Sequence, residues 1–294
     1  MKTYFIRHSS ALDVDDITVS LLWDNDYIGI HYPHDSSGRK PYDSKSLEPK
    51  DYSGKARHSL ALLTDIGENG GYIFGVYRGH AGGKIGIVKP NTKVQLLTGK
   101  WGKKNNNVGR DAHLKALKLC NTIELDAFKS LSLTSVQPRQ GTLCHWRKVG
   151  GRVKDLTLGK VSKEVGSLTP DLQEVMCLEF LRTNTASKLG LPRLLHTLAP
   201  VGRTLKDLDI LALGYDSKPI SAQVTFHHSK SVTAKRKQEK LTPYRKNGGH
   251  TILFCKCEEI EQINGHITFP LEIVFNEFCL KSKHGSAWFD AVTQ

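Results

Sequence analysis

The sequence predicts two halves of different class. A β-rich, barrel-like N-terminal domain is expected over residues 1–145, and an α/β C-terminal domain, a mixed sheet flanked by helices, over residues 169–294, with a linker at 146–168. Three observations carry this reading. Short runs of β-forming residues fill the first half, at Tyr4-Phe5-Ile6, 17–23, 27–32, 72–77 and 85–88, and their interior glycines suggest a small bent sheet or barrel. In the second half such runs alternate with helical stretches at 169–182 and 231–244, the pattern of a sheet covered by helices. A length of 294 residues with 38% hydrophobic content is enough to give each half a core.

In chain order, Asp24-Asn25-Asp26 forms a turn between the runs at 17–23 and 27–32. Residues 34–52 are polar and rich in Ser, Pro, Lys and Asp, which predicts a long surface loop. Helical spacing at 55–65 ends at a glycine-rich break. The strands at 72–77 and 84–88 are joined by a glycine-rich turn that lacks the spacing of a phosphate-binding loop. Strands are also expected at 94–97 and 118–125. The segment KWGKKNNNVGR at 100–110 is basic and turn-rich. Lys103, Lys104 and Arg110 could meet phosphates there while Trp101 stacks on a base, the alternative being a solvated loop around a half-buried ring. Residues 136–142 look like the end of the first domain, and glycines at 150, 151, 159 and 166 read as linker. After a strand at 251–256, residues 267–278 are expected to be extended.

The formal charge is +13, from 42 Lys and Arg against 29 Asp and Glu. Such a surplus favours a polyanionic partner, nucleic acid first, because cations on phosphates supply most non-specific affinity. A membrane is a poorer partner: no apolar run is long enough to span a bilayer. The N-terminal residues lack the core of a signal peptide, so a cytoplasmic protein is expected. The six cysteines show no C-x₂-C spacing and read as reduced thiols rather than a zinc site.

Chemistry concentrates at 204–244. Ile210 to Leu213 form an apolar run, Gly214-Tyr215-Asp216-Ser217 a turn, and 219–226 a second strand, together an antiparallel hairpin. Side chains alternate along a strand, so Asp207 and Asp209 share a face, as do Gln223 and Thr225. Pairing through that turn brings the acids across from the Gln/Thr end, where oxygen ligands converge as Mg²⁺ or Mn²⁺ requires. The helix that follows carries Lys235, Arg236, Lys237 and Lys240, with Arg245 and Lys246 after it. Lys237 and Leu241 are one turn apart, so the helix has a partly apolar side beside a broad cationic one, and Arg236, Lys237, Arg245 and Lys246 are candidate phosphate contacts.

At these residues the chain resembles the PD-(D/E)XK nuclease superfamily, the restriction endonuclease-like and Mrr-like enzymes. The order of elements over 169–256 carries the resemblance: a helix with Glu174, a strand at 194–198, an acid-led strand, a hairpin to Gln223-Val224-Thr225, a helix and a further strand. The resemblance implies that Asp209 and Gln223 bind a divalent cation, that Glu174 binds it or orients its water, and that Asp207 is an auxiliary acid. It also implies a lysine where Thr225 stands, and a hydroxyl cannot replace an ammonium. Lys230, Lys235 and Lys240 are the near candidates to substitute for it. The N-terminal half resembles, loosely, the PUA-like β-barrel readers, on Trp23 and the strands at 72–77 and 85–88. A base cage there would need Trp23, Tyr32, Tyr77 or Trp101 to face inward, and core packing is the competing use of such rings.

The resemblance implies a Mg²⁺- or Mn²⁺-dependent DNA endonuclease of restriction or phage-defence type, hydrolysing phosphodiester bonds in duplex DNA, with direction by modified bases as one form of it. Paired cutting would call for a homodimer. The alternative is a binding protein for DNA or RNA that keeps the nuclease fold without the chemistry.

Overall fold

The computed structural model describes residues 1–32, 45–103, 108–138, 141–149, 151–160, 162–198, 207–245 and 248–293. The chain divides into two compact units, 1–161 and 162–293.

The first unit contains β1 (Lys2–His8), α1 (Asp16–Asp24), β2 (Tyr27–Ile30), α2 (Gly54–Asn69), β3 (Gly71–Tyr77), β4 (Gly83–Val88), β5 (Gln95–Lys100), β6 (Asp111–Lys118), β7 (Cys120–Leu125), α3 (Leu131–Thr134), β8 (Leu143–His145) and α4 (Arg152–Thr157). Five strands form one sheet in the order β7-β4-β3-β1-β8, and β2-β6-β5 form another. The expected barrel is not what forms, since among the described residues both sheets are open. The physical reason is that both faces of the five-stranded sheet are covered: alternate residues of β1 and β3, Tyr4, Ile6 and Ile73 on one face and Phe5 and Phe74 on the other, pack against different helices. Ala56, Leu60, Leu63 and Ile66 of α2 pack with Tyr4, Ile6, Ile73 and Val88. Phe5, Phe74, Trp146, Val153 and Leu156 form a separate core that includes α4. Helices therefore cover the sheet where a barrel would have its lumen.

Residues 17–23, expected as a strand, form most of α1. Asp15 Oδ1 accepts the N–H of Thr18 at 2.8 Å, capping the first turn, and Val19 and Leu22 turn inward while Ile17 and Leu21 are exposed. A short apolar run does not by itself distinguish strand from helix. The segment read as a linker is largely folded: Trp146, Val149, Val153 and Leu156 lie in the first unit's core, and Val165 and Leu168 in the second unit's.

His8 is fully buried in the first unit, stacked on Tyr77 at 4.2 Å, with Nε2 accepting the Gly29 N–H at 3.1 Å. Burial disfavours the imidazolium and pushes its pKa down to about 3. A histidine depressed in the folded state contributes stability above its unfolded pKa of about 6.5 and loses it as pH falls toward the folded value, at a slope approaching about 1.4 kcal/mol per pH unit. His8→Gln keeps an acceptor for Gly29 without titrating. Its melting temperature is expected to fall less than the wild type's between pH 6.5 and 4, checked by thermal melts across that range.

The second unit contains α5 (Pro170–Leu181), α6 (Asn184–Lys188), β9 (Leu194–Thr197), β10 (Ile210–Gly214), β11 (Pro219–His228), α7 (Val232–Arg245), β12 (His250–Lys256), β13 (Glu261–Ile263), β14 (His266–Pro270), α8 (Leu271–Val274) and α9 (Lys283–Thr293). Its sheet runs β13-β14-β12-β11-β10-β9. The β9-β10-β11 part is an antiparallel meander, and α7 crosses over to place β12 parallel to β11. Thr169 caps α5 through the Leu172 N–H, with Pro170 in the first turn. Leu172, Met176 and Phe180 of α5 pack with Ala212, Ala222, Val224 and Phe254. Leu208, Ala234, Leu241, Leu253 and Cys255 form a second core that includes α7. Residues 267–278 are not extended throughout: β14 ends at Pro270 and a helix starts at Leu271, burying Leu271, Val274, Phe275 and Phe278 at helical spacing. All six cysteines are free thiols. Among the described residues no helix is long and apolar enough to cross a membrane.

Candidate active site

The ladder between β10 and β11 runs from Leu213 opposite Pro219 to Ile210 opposite Ala222. Beyond it, side chains take over from the backbone. Asp209 N still donates to Ala222 O at 3.0 Å, but the Val224 N–H goes to Asp209 Oδ2 at 2.7 Å, and Gln223 Nε2 donates to the Asp207 carbonyl. The two strands part here into a fork bridged by Asp209 and Gln223.

On its other edge β11 bulges at the same place. Val224 pairs with Phe254, and the next pairing, His228 with Lys256, comes four residues later in β11 but two later in β12. The ladder loses its register across 225–227, as bulges do. Thr225 Oγ1 accepts the His227 N–H at 3.3 Å. Thr225 is therefore a tie within the bulge, which is a physical use for a hydroxyl at this position.

An ammonium reaches the fork from α7. Lys237 Nζ lies 2.7 Å from Asp209 Oδ2 and 2.6 Å from Val224 O. One turn on, Lys240 Nζ lies 3.2 Å from Asp207 Oδ1. A helical step of three residues spans about 4.5 Å and a strand step of two about 6.7 Å, close enough for long side chains to match pair to pair. The inner pair is the more shielded: the Asp209 side chain is 19% exposed against 45% for Asp207. Lys237 sits on the stripe of α7 whose buried members are Ala234 and Leu241. Its one-turn spacing from Leu241 is the sequence signal that points it inward, although the run of cations around it points toward phosphate contact.

Glu174 is buried on α5. Burial raises the pKa of the Cys177 thiol well above its ordinary value, and the charges of Glu174, Cys279 and Asp209 add to that, so Glu174 and Asp209 both act on one buried atom. The oxygens at the fork are hard donors. Asp209 engages Oδ2 with Val224 and Lys237, which leaves Oδ1, and Gln223 engages Nε2, which leaves Oε1. No group of three His, Cys, Asp or Glu converges on a metal position among the described residues. One carboxylate with one amide oxygen fits a cation that keeps water and takes further oxygens from a phosphate, as Mg²⁺ does, rather than an all-protein cage.

The other expected residues are dispersed. Of the three lysines expected to replace the strand lysine, Lys240 reaches an acid of the fork. Lys230 is exposed ahead of α7, its N–H donating to His228 Nδ1 at 3.2 Å, and Lys235 and Arg236 are exposed on the outer side of α7. Arg245 donates to the Asn264 carbonyl and so anchors the β13–β14 turn. Trp101 is 2% exposed and edge-on to His31 at 4.6 Å, which makes it a core ring rather than a base platform. Tyr77 is equally buried, and Trp23 stacks on His80. Lys103 and Arg110 are exposed. Lys104 and Lys246 lie outside the described residues.

Three solved structures show a distant likeness. One is a repair endonuclease from Pyrococcus abyssi, 10% identical, covering 59% of this chain and 64% of its own, less than two thirds, with a TM-score of 0.21. Another is the MspJI restriction endonuclease in complex with a 27-mer oligonucleotide, 10% identical over 99% of this chain and 79% of its own, TM-score 0.24. The third is the DNA modification-dependent restriction endonuclease AspBHI, 10% identical over 98% and 84%, TM-score 0.25. At these scores the likeness carries no inference about this chain. No family model and no curated protein matches it.

Proposed function

We propose that the fork between β10 and β11 is the active site of a divalent-metal-dependent DNA endonuclease. One observation carries the reading: Lys237 Nζ sits between Asp209 Oδ2 and Val224 O, at 2.7 and 2.6 Å. An ammonium thus stands beside a strand-end carboxylate, on the carbonyl of the residue before Thr225, the position at which the nuclease resemblance implies a lysine.

Asp209 Oδ1 and Gln223 Oε1, with Glu174 behind them, would hold Mg²⁺ or Mn²⁺, and such a cation supplies Lewis acidity at a phosphate oxygen and a more acidic bound water. Lys237 is placed to donate to a phosphate oxygen or to the attacking water from a fixed position, the kind of preorganised donor that stabilises developing charge. The Asp207–Lys240 pair holds the outer arm of the fork against α7. Lys235 and Arg236, exposed beside it, would meet the DNA backbone, consistent with the net charge of +13.

The test is cleavage of a panel of unmodified and base-modified duplex DNA, with single-stranded RNA as a comparison, in Mg²⁺ or Mn²⁺ and again in excess EDTA. DNA cleavage that stops in EDTA is the expected result. Salt-sensitive binding without cleavage of any member would overturn it in favour of a binding protein that lacks the chemistry, and cleavage confined to RNA would reassign the substrate.

A further inference from the structure

The bulge in β11 has a second product besides the Thr225 tie. It brings Phe226 to the surface, 39% exposed, two residues after Val224, whose backbone holds both Asp209 and Lys237. At strand rise that is no more than about 7 Å along the chain from the fork. Lys256 Nζ lies over the ring at 3.6 Å from its centroid. His227, His228 and Lys230 are exposed in the residues that follow. An exposed aromatic ring held by a cation, within a cationic surface, is chemistry that accepts a nucleobase on the ring and its phosphates on the charges. Paired bases in a duplex have no free face to offer such a ring, so the base concerned must be unstacked.

We infer that Phe226 is a stacking platform for one unpaired base next to the phosphate at the fork, so that the substrate is DNA with a locally opened strand. The inference rests on the proposed nuclease reading for its substrate but not for its test. Binding is measured in EDTA, where cleavage is stopped, with two probes of one sequence: a fully paired duplex, and a duplex with a single extrahelical 2-aminopurine. Wild-type protein is expected to prefer the second probe and to quench its fluorescence. Phe226→Leu should lose about ten-fold in affinity for that probe, lose the quenching, and bind the paired duplex as before. Phe226→Tyr, which keeps the ring, should behave as wild type. The idea is overturned if wild type neither prefers nor quenches the extrahelical base, or if Phe226→Leu weakens both probes alike. Retained binding to paired DNA in those cases sinks this inference alone, whereas failure to bind any probe in EDTA and again in Ca²⁺, together with no cleavage in Mg²⁺ or Mn²⁺, sinks the nuclease reading with it.

Discussion

Asp209→Asn is expected to reduce metal-dependent cleavage by on the order of 10³-fold while leaving the fold intact. The separation follows from the two jobs of one side chain. The amide oxygen of Asn can still accept the Val224 N–H that Asp209 Oδ2 takes at 2.7 Å, so the bridge across the fork survives. What is lost is the negative charge that faces Lys237 and that a divalent cation would need. Several kcal/mol of transition-state stabilisation by a bound metal corresponds to about three powers of ten in rate. Asp207→Asn provides the comparison, with a loss below about ten-fold, because Asp207 is 45% exposed and pairs outward with Lys240 at 3.2 Å. Initial rates at saturating Mg²⁺, with melting curves for each variant, check both. Equal rates for wild type and Asp209→Asn would move the active site elsewhere.

Lys237→Met is expected to lower cleavage about 10²–10³-fold, the usual cost of removing one preorganised donor at a reacting centre. Methionine retains the unbranched apolar stem and is one atom shorter, so α7 keeps its packing through Ala234 and Leu241. A modest loss of stability accompanies it, about 1–2 kcal/mol, for charge-assisted hydrogen bonds to Asp209 and Val224 in a partly exposed pair. Lys237→Arg should recover little, because a planar guanidinium cannot occupy the point between a carboxylate and a carbonyl that a compact ammonium fills. Lys235→Met and Arg236→Met, on the outer side of the helix, should change the salt dependence of DNA binding rather than turnover. The pattern to look for is a loss specific to Lys237. If Lys235→Met reduced turnover as much, the cation acting at the fork would be a different one.

Local residue patterns reached far into the second unit. The order helix, meander, helix, strand over 169–256 is readable because each element has its own signal: Thr169 and Pro170 starting a helix, a turn at 214–217, and β-forming residues on either side of it. The placement of Asp209 opposite Gln223 follows from that turn alone, since register propagates two residues at a time. Reading failed where one pattern serves two structures. The run at 17–23 alternates over Ile17–Leu21 as a strand would, and Asp15 as a cap decided for helix. Leu271, Val274, Phe275 and Phe278 already carry helical spacing, yet their apolar density reads equally as a buried strand.

What the sequence determined by itself was a cationic chain with an acid-led hairpin and a basic helix after it, because charge, turn chemistry and alternation are local properties. Which cation serves the fork was decided only by tertiary structure. Lys235, Lys237 and Lys240 are chemically identical, and what separates them is the rotation of α7 about its axis, set by burying Ala234 and Leu241 against the sheet. That packing turns Lys237 inward to Asp209 and Lys240 to Asp207, and leaves Lys235 to solvent. The barrel expected of the first unit failed for the same kind of reason. The sheet stays open because both its faces are covered, and the helices that cover them, α2 on one and α4 on the other, lie too far from β1 in the chain for any local pattern to announce.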